Sequence, residues 1–524
     1  MLPCFQAMTP LNSGDRVPTM LRRSFTAGLA GFWLPSIAKA APRMASDPFG
    51  LGIASGCPTP ESVVLWTRLV AENGFGERLA EPVVVDWAIA EDDAMRKVVR
   101  TGQATAEARW AHSIHVVANG LRPARPYWYR FAVRGAESPI GRTKTAPAAA
   151  DPLAKLRFAF ASCQQYEQGY FTPFRNMAAE DADFVVHLGD YIYEKSWGRD
   201  LVRRHDSGLA TTLEEYRDRY AQYKSDRDLQ ASHAAFPWIV TWDDHEVADD
   251  YAGDVSPVQR DPARFLAQRA EAYQAYWEHM PLPPSMQPQG PSMRLHDRYR
   301  FGQLAEIHVL DNRQYRDHHA CWSVLPRNKV MRGCEERLDP RRSMLGTAQE
   351  AWLSQGLSHA STRWTLIAQQ TLVAQVDRSP KRAGDFWHDG WDGYAPARQR
   401  MIDAIAASPV RDTIVLSGDV HSFWAADLKR DFDDSRGPIV ATEFVGGSIT
   451  SQGPSEAAVH SRLAANPHLR YGQSEKYGYA HVTLDATGAH VAFRSVDSVK
   501  SPQSTITTLQ SFVVESGKPG VVMD

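Results

Sequence analysis

Four apolar segments of this chain run straight into side chains that bind metal ions. LRFAFAS leads to Cys163, and ADFVVHL leads to Gly189-Asp190-Tyr191-Ile192-Tyr193. WIVTW leads to Asp243-Asp244-His245-Glu246, and TIVLS leads to Gly418-Asp419-Val420-His421. Thiolate, phenolate, carboxylate and imidazole are the donors that hard and borderline cations take. Carboxylates gathered at the ends of buried strands are costly to leave uncompensated, so a dinuclear metal site is the economical reading. Asp243 either ligates or caps its loop. The following Asp249, Asp250 and Asp254 read as a solvated acidic loop.

Placing these loops together requires a strand-and-helix scaffold. Residues 156–163 and 182–190 read as buried strands on either side of a helical stretch, Tyr170–Glu180. Residues 238–246, 363–370 and 413–421 are further apolar strands, with helical spacing over Ala263–Met280, Ala348–His359 and Ala397–Ser408. In α/β folds reactive groups collect where strands end. His187 and His308, inside apolar strands, read as core histidines. Residues 45–147 differ: SVVLWTR, VVVDWA and YWYRFAV are short β-branched and aromatic runs between turns, the spacing of a small β-sandwich. The Ala/Pro-rich Thr145–Pro152 reads as a linker, and TEFVGG with the pair around Ala486-Thr487-Gly488 as C-terminal antiparallel strands. The expected fold class is α/β, with an N-terminal β-sandwich ahead of the strand-and-helix body.

Arg22-Arg23-Ser24-Phe25, an apolar run to Ala38, and Ala38-Lys39-Ala40 have the order of a cleaved export signal, residues 1–40. The paired arginines followed by x-Phe resemble the twin-arginine type, which implies the twin-arginine export machinery as a partner and a periplasmic or secreted location. The segment before Pro18 is long for such a signal, so translation starts at Met1 or at Met20. The apolar run is too short for a transmembrane anchor. The chain has 524 residues and a net charge of −3, and removing residues 1–40 brings it to −6. No basic excess marks a nucleic-acid-binding module. Of the cysteines left, Cys321 and Cys334 are spaced for a disulfide in an oxidising compartment. Cys57 and Cys163 remain unpaired.

The stretches GIASGCPTPESVVLWTRL, FASCQQYEQGYFTPFRNM, HLGDYIYE, WDDHEV, RSMLGTAQEAWL, WDGYAPARQRM, SGDVHSFW and FVVESGKPG occur in the order found in a known family. Over residues 45–518 the chain resembles the alkaline phosphatase D (PhoD-like) branch of the calcineurin-like metallophosphoesterases. The resemblance implies a sandwich-like N-terminal domain (45–147) followed by a four-layer α/β/β/α metallophosphoesterase domain (153–518). It implies one metal held by Cys163, Asp190, Tyr193 and His421, and a second held by Asp190, Asp244 and Asp419, as Fe(III) with Ca(II) or another divalent ion. The lone histidine of the family pattern has no match, since residues 363–370 end in Gln369-Gln370.

The implied activity is hydrolysis of a phosphate mono- or diester, by in-line attack of a metal-activated hydroxide. His245 is the expected catalytic residue, stabilising the transition state or protonating the leaving oxygen. Arg175, Tyr166 and Tyr191 are candidate substrate contacts. A phospholipase-D-like or polymer-directed phosphodiesterase is the sister reading, and a non-catalytic cell-wall binding module the reading from another class. A cysteine-nucleophile phosphatase of the C-x5-R type is excluded, because Gly169 stands where the arginine belongs.

Overall fold

The computed structural model describes residues 47–70, 81–322, 329–379 and 384–524. The expected export signal and both candidate start methionines lie outside them. Two large sheets carry the body. One has ten strands in the order Lys518–Met523, Ile506–Glu515, Gly488–Val496, Tyr477–Asp485, Lys155–Ala161, Phe184–His187, Pro237–Val240, Ile53–Gly56, Ser62–Arg68 and Ser113–Asn119. The other has seven, in the order Asp297–Phe301, Ala305–Val309, Trp364–Ala368, Asp412–Ser417, Ile439–Gly446, Phe423–Lys429 and Leu469–Gln473.

The short apolar runs seen in the sequence are the parallel centres of these sheets. Lys155–Ala161, Phe184–His187 and Pro237–Val240 pair in parallel in the first sheet, and Ala305–Val309, Trp364–Ala368 and Asp412–Ser417 in the second. Central parallel strands are covered on both faces, so they read as continuous hydrophobic runs. Alternation along each strand sorts the side chains. Leu366, Ala368, Ile414 and Leu416 share a core with Phe158, Phe160, Phe184 and Val186 of the other sheet. Their neighbours Ile367 and Val415 pack with Leu353 and Leu357 of helix α5 (Gly346–Ser358) and Met401 and Ile405 of helix α6 (Ala395–Ala407).

Helices α1 (Thr172–Met177), α2 (Leu213–Lys224), α3 (Arg227–Ala235) and α4 (Pro262–His279) add Phe174, Tyr216, Tyr220, Leu229 and Tyr273 to the first core. Helix α7 (Glu456–Ala465) packs Val459 into the second. The stretch read as helical over Tyr170–Glu180 contains only the six-residue α1. Pro173 occupies its first turn, and Ala178 begins the turn that leads into the next strand.

The strands before residue 147 divide between two sheets. Val98–Ala106, Val83–Ala90, Pro126–Val133 and Ala136–Glu137 form a sheet, with Gly141–Lys144 paired to Pro126–Val133. Its Val83, Val85, Ile89, Tyr127, Tyr129 and Phe131 pack against Val63, Leu65, Ile114 and Val116. The latter four belong to the ten-stranded sheet. Ile53–Gly56 pairs in parallel with Pro237–Val240, Ser55 opposite Pro237 and Gly56 opposite Trp238. The main-chain ladder therefore joins strands on either side of Thr145–Pro152. Gly56 permits the junction: a Cβ there would lie 2.5 Å from the Pro281 carbonyl oxygen and 2.7 Å from that of Trp238.

Cys321 and Cys334 form the expected disulfide, with Cα atoms 6.1 Å apart. Among the described residues no helix is long and apolar enough to cross a membrane.

Candidate metal centre

Four loops meet at the C-terminal ends of the parallel strands. The Cys163 and Gln164 N–H groups donate to the Gly189 and Asp190 carbonyls at 3.1 and 3.0 Å, joining the first loop to the second. Gly418 N–H donates to Gln370 O at 2.6 Å, and a Cβ at Gly418 would lie 2.4 Å from Ser162 Oγ, so the fourth loop crosses the first without a side chain between them. The backbone is left-handed at Cys163 (φ 63°), Asp190 (56°), Asp419 (63°) and His421 (51°). Non-glycine residues adopt this region at a cost, and such strain collects at functional sites. Here it falls on four of the six expected ligands.

These loops bring together every residue expected to bind metal. Ligand atoms of Cys163, Asp190 and His421 lie within 4.8 Å of one another, as do those of Asp190, Asp244 and His245, and of Asp243, Asp244 and Asp419. Tyr193 joins the first group: its hydroxyl donates to Asp190 Oδ2 at 2.7 Å and lies 3.0 Å from His421 Nε2. Ser451 Oγ donates to the same phenolic oxygen at 2.7 Å. Asp190 and Asp244 each belong to more than one group, so the clusters form one contiguous centre.

The donor set fits cations. Asp190 Oδ1, Asp243 Oδ2, Asp244 Oδ1 and Asp419 Oδ2 are buried and accept no hydrogen bond. A buried carboxylate oxygen without a donor carries its full desolvation cost, which a cation removes. Burial, with neighbouring acids, pushes Asp190 up to about 7 and Asp419 up to about 6, although Arg313 pulls both down. Burial, then the Asp190 charge, holds the Cys163 thiol and the Tyr193 phenol well above their ordinary values. Bound cations reverse this balance and draw the donors into their charged forms. Cys163, Tyr193, His421 and Asp190 make a set suited to a trivalent iron, whereas Asp190, Asp243, Asp244 and Asp419 offer only the hard oxygens that calcium takes.

Side chains outside the four motifs hold the centre in place. Glu246 accepts from the N–H groups of Asp190, Tyr191 and Asp243 at 3.1, 2.6 and 2.8 Å. Arg313 is buried with its Nε on Asp243, its Nη1 on both Asp389 oxygens and its Nη2 3.5 Å from Asp244 Oδ1. Arg313 and His245 hold Asp244 below the usual carboxylate range despite its burial. His245 Nδ1 lies 2.6 Å from Glu194 Oε2. Burial opposes the His245 cation, but Glu194, Asp244 and Asp190 outweigh it and raise its pKa well above the ordinary value.

Several expectations are corrected. Arg175 does not reach the cleft, because it forms an ion pair with Asp228 at 2.8 and 2.9 Å. Tyr166 lies under the Arg203 guanidinium at 3.7 Å, and the Tyr191 hydroxyl is 2.8 Å from His233 Nε2, so both are packing residues. The acidic loop is not simply solvated. Asp250 is 5% exposed, and its ligand atoms cluster with those of Asp244 and Asp249. Only Asp254 stays at the surface, against His318. Gln369 and Gln370, where the lone histidine was sought, tie the scaffold: Gln369 Oε1 accepts from Asn312 and Trp391, and Gln370 Nε2 donates to Thr241, Trp242 and Leu310. His187 is a core residue as expected, stacked on Trp238.

The centre floors a cleft of about 440 Å³. Its walls include Lys195, Trp197, Lys329, Arg378, Trp387 and Arg462, none of which the sequence reading singled out. They come from separate loops, a short strand and helix α7, with no shared local pattern. The lysines face the acidic loop at short spacing, and only three-dimensional proximity pairs them with it.

Comparison with known proteins places the chain in a family. Residues 158–493 match the model of the PhoD-like phosphatase family, and residues 36–147 match that of the PhoD-like phosphatase N-terminal domain. Alkaline phosphatase D of Bacillus subtilis (strain 168) is 42% identical over 492 residues, covering 92% of this chain and 83% of that protein. A solved structure of PhoD superposes with a TM-score of 0.88 at 41% identity, covering 92% of this chain and 93% of the other. The chain belongs to the PhoD-like phosphatase family, and it is a phosphoesterase.

Proposed function

We propose that the chain is an exported, metal-dependent phosphoric-ester hydrolase that takes phosphate mono- or diesters. The observation that carries this reading is the position of Asp190, which clusters with Cys163 and His421 and, through its carboxylate, with the Tyr193 hydroxyl, and also with Asp244 and His245, while Asp244 clusters in turn with Asp243 and Asp419. Cys163, Asp190, Tyr193 and His421 would hold Fe(III), and Asp190, Asp244 and Asp419, with Asp243 beside them, would hold Ca(II). When bound, such cations supply positive charge for the phosphoryl oxygens and lower the pKa of water. Around them, Ser451 and Asp190 fix the Tyr193 oxygen, and Gln452 O, 3.0 Å from His421 Nδ1, sets the imidazole so that its Nε2 faces the centre. Glu194 fixes the His245 ring in the same way by holding Nδ1, which leaves Nε2 as the ring nitrogen for the leaving oxygen.

The packing supports division into a sandwich-like domain at 45–147 and a four-layer α/β/β/α domain at 153–518, sharing the ladder at Ser55–Gly56. Twin-arginine export of the folded, metal-loaded protein is part of this proposal. Fusing residues 1–40 to a reporter that works only after export checks it.

Metal analysis of purified protein, its visible spectrum and its turnover of 4-nitrophenyl phosphate against bis(4-nitrophenyl) phosphate test the catalytic reading. Iron, calcium and a tyrosinate-to-iron band are expected. An iron-free, colourless and fully active protein would refute the iron assignment, and activity that survives complete metal removal would refute metal dependence.

A further inference from the structure

Four cationic side chains face the metal cleft, and they divide into two kinds. Lys195 Nζ lies 3.0 Å from Asp249, and Lys329 is paired with Asp249 at 3.4 Å and with Asp250. Those charges are already matched. Arg378 and Arg462 are different: among the described residues neither guanidinium has an acidic partner or an acceptor, and Arg378 Nε is buried with no hydrogen bond at all.

The two arginines are held side by side by built structure. Arg462 stands in the last turn of α7, and its carbonyl accepts from the Asn466 backbone N–H at 3.0 Å and side-chain Nδ2 at 2.8 Å. The same Asn466 side chain accepts from Asp377 N at 2.9 Å and donates to Asp377 O at 2.8 Å, locking the residue before Arg378 to the end of α7. Arg378 N–H donates to Asp385 O at 2.9 Å, and its guanidinium lies over the Trp387 ring at 5.1 Å. Burial, and then the charge of Arg462, depress the Arg378 pKa to about 9. Asp392 and Asp419 offset part of this at longer range, but two guanidiniums held together with no acidic group in contact are costly, and an anion that accepts from both removes the cost.

We propose that Arg378 and Arg462 form a subsite for a second phosphoryl group of the substrate, bound beside the metal centre while another phosphoryl group of the same molecule is hydrolysed there. This rests on the metal-dependent hydrolysis above and specifies its substrate class: phosphate esters that carry a further phosphate. The same cleft is lined by the acidic residues Asp190, Asp244 and Asp419 and by Arg378 and Arg462 with Trp387 and Pro454, so it offers the candidate metal ligands and the two guanidiniums to one bound molecule. A volume of about 440 Å³ is that of a small-molecule site and exceeds what one phosphoryl group fills. Guanidinium is the cation best matched to phosphate, through paired N–H donors.

The test uses a matched pair of esters, thymidine 5′-(4-nitrophenyl phosphate) and the same ester with a 3′-phosphate, with the full-length metal-loaded protein. The 3′-phosphorylated ester is expected to have a kcat/KM at least about tenfold higher. In the Arg378→Gln/Arg462→Gln protein that ratio should fall to near one, and Arg462→Lys should restore part of it. A ratio near one in the parent protein overturns the proposal. So does a ratio that survives in the double variant with both rates lowered alike, because the guanidiniums would then grip the scissile phosphate. If neither ester turns over, the hydrolysis reading fails by itself. Calorimetric binding of thymidine 3′,5′-bisphosphate against thymidine 5′-monophosphate then decides the subsite: at least about tenfold tighter binding of the bisphosphate, lost in the double variant, supports it, and equal binding refutes it.

Discussion

Arg313 is the group whose removal tests the electrostatic account most directly. It is 1% exposed, and its three nitrogens face Asp243, Asp389 and Asp244. In Arg313→Met the volume is largely kept and the charge is lost. Asp389 retains Arg316 and His319 at its Oδ1, whereas Asp243 loses the only cation paired with it among the described residues. Breaking a buried ion pair from one side costs about 3–5 kcal/mol, because the remaining charge stays buried. Unfolding entropy is about 2.1 cal/mol/K per residue, so a chain of this length loses roughly 1 °C of Tm per kcal/mol. The expected fall is therefore about 3–5 °C, read by thermal unfolding of chelated, metal-free protein. Asp243→Asn in the Arg313→Met background should recover part of it, a coupling of about 1–3 kcal/mol. Added calcium should stabilise Arg313→Met more than the parent, because the uncovered carboxylates then bind the cation without competition from the guanidinium. A Tm change under about 1 °C, or strict additivity of the two substitutions, would refute the claim that Arg313 neutralises this cluster.

Further outcomes follow from the same geometry. Asp190→Asn should lose both iron and calcium by elemental analysis and abolish turnover, because its carboxylate clusters with Cys163 and His421 and also with Asp244, which belongs to the proposed second site. His245→Ala should keep its metals and lower kcat by roughly 10²–10⁴-fold, the contribution of a positioned proton donor. Gly189→Ala should fold poorly and lose metal, since φ is 106° there and a Cβ would sit 2.4 Å from Asp243 N; circular dichroism and metal content check it. Reduction-proof Cys321→Ser/Cys334→Ser should lose about 3 kcal/mol, the value for closing a loop of this size, read as a lowered Tm without loss of metal.

The ligands were legible because each sits where a short apolar run stops, and a parallel strand buried on both faces leaves that run nearly free of polar residues. The expected roles of Tyr193, Asp244 and His421 came from the resemblance to the PhoD-like motifs that stand at those strand ends. Arg313 and Asp389 were not legible: they arrive from loops 76 residues apart and meet only around Asp243. Arg378 and Arg462 escaped for the same reason, and Asp250 looked solvated because an acidic run resembles a surface until its burial is known. The N-terminal strands were recognised as strands, but periodicity does not say which sheet a strand joins. Ile53–Gly56 could be placed beside Pro237–Val240 only from the ladder itself.

That ladder bears on when the proposed metal site would be completed. The ten-stranded sheet takes one flank from residues 53–119 and the other from residues 477–523, with the strands that carry Cys163, Asp190 and Asp244 between them. During synthesis Ile53–Gly56 therefore waits for Pro237–Val240 before its edge is covered, and Lys155–Ala161 waits for Tyr477–Asp485. Contacts of such long range pay their loop-closure entropy before they return any stabilisation. The four loops thus reach their final spacing only after residues 477–485 have been made, and a shorter chain would have no finished site in which to trap the wrong ion.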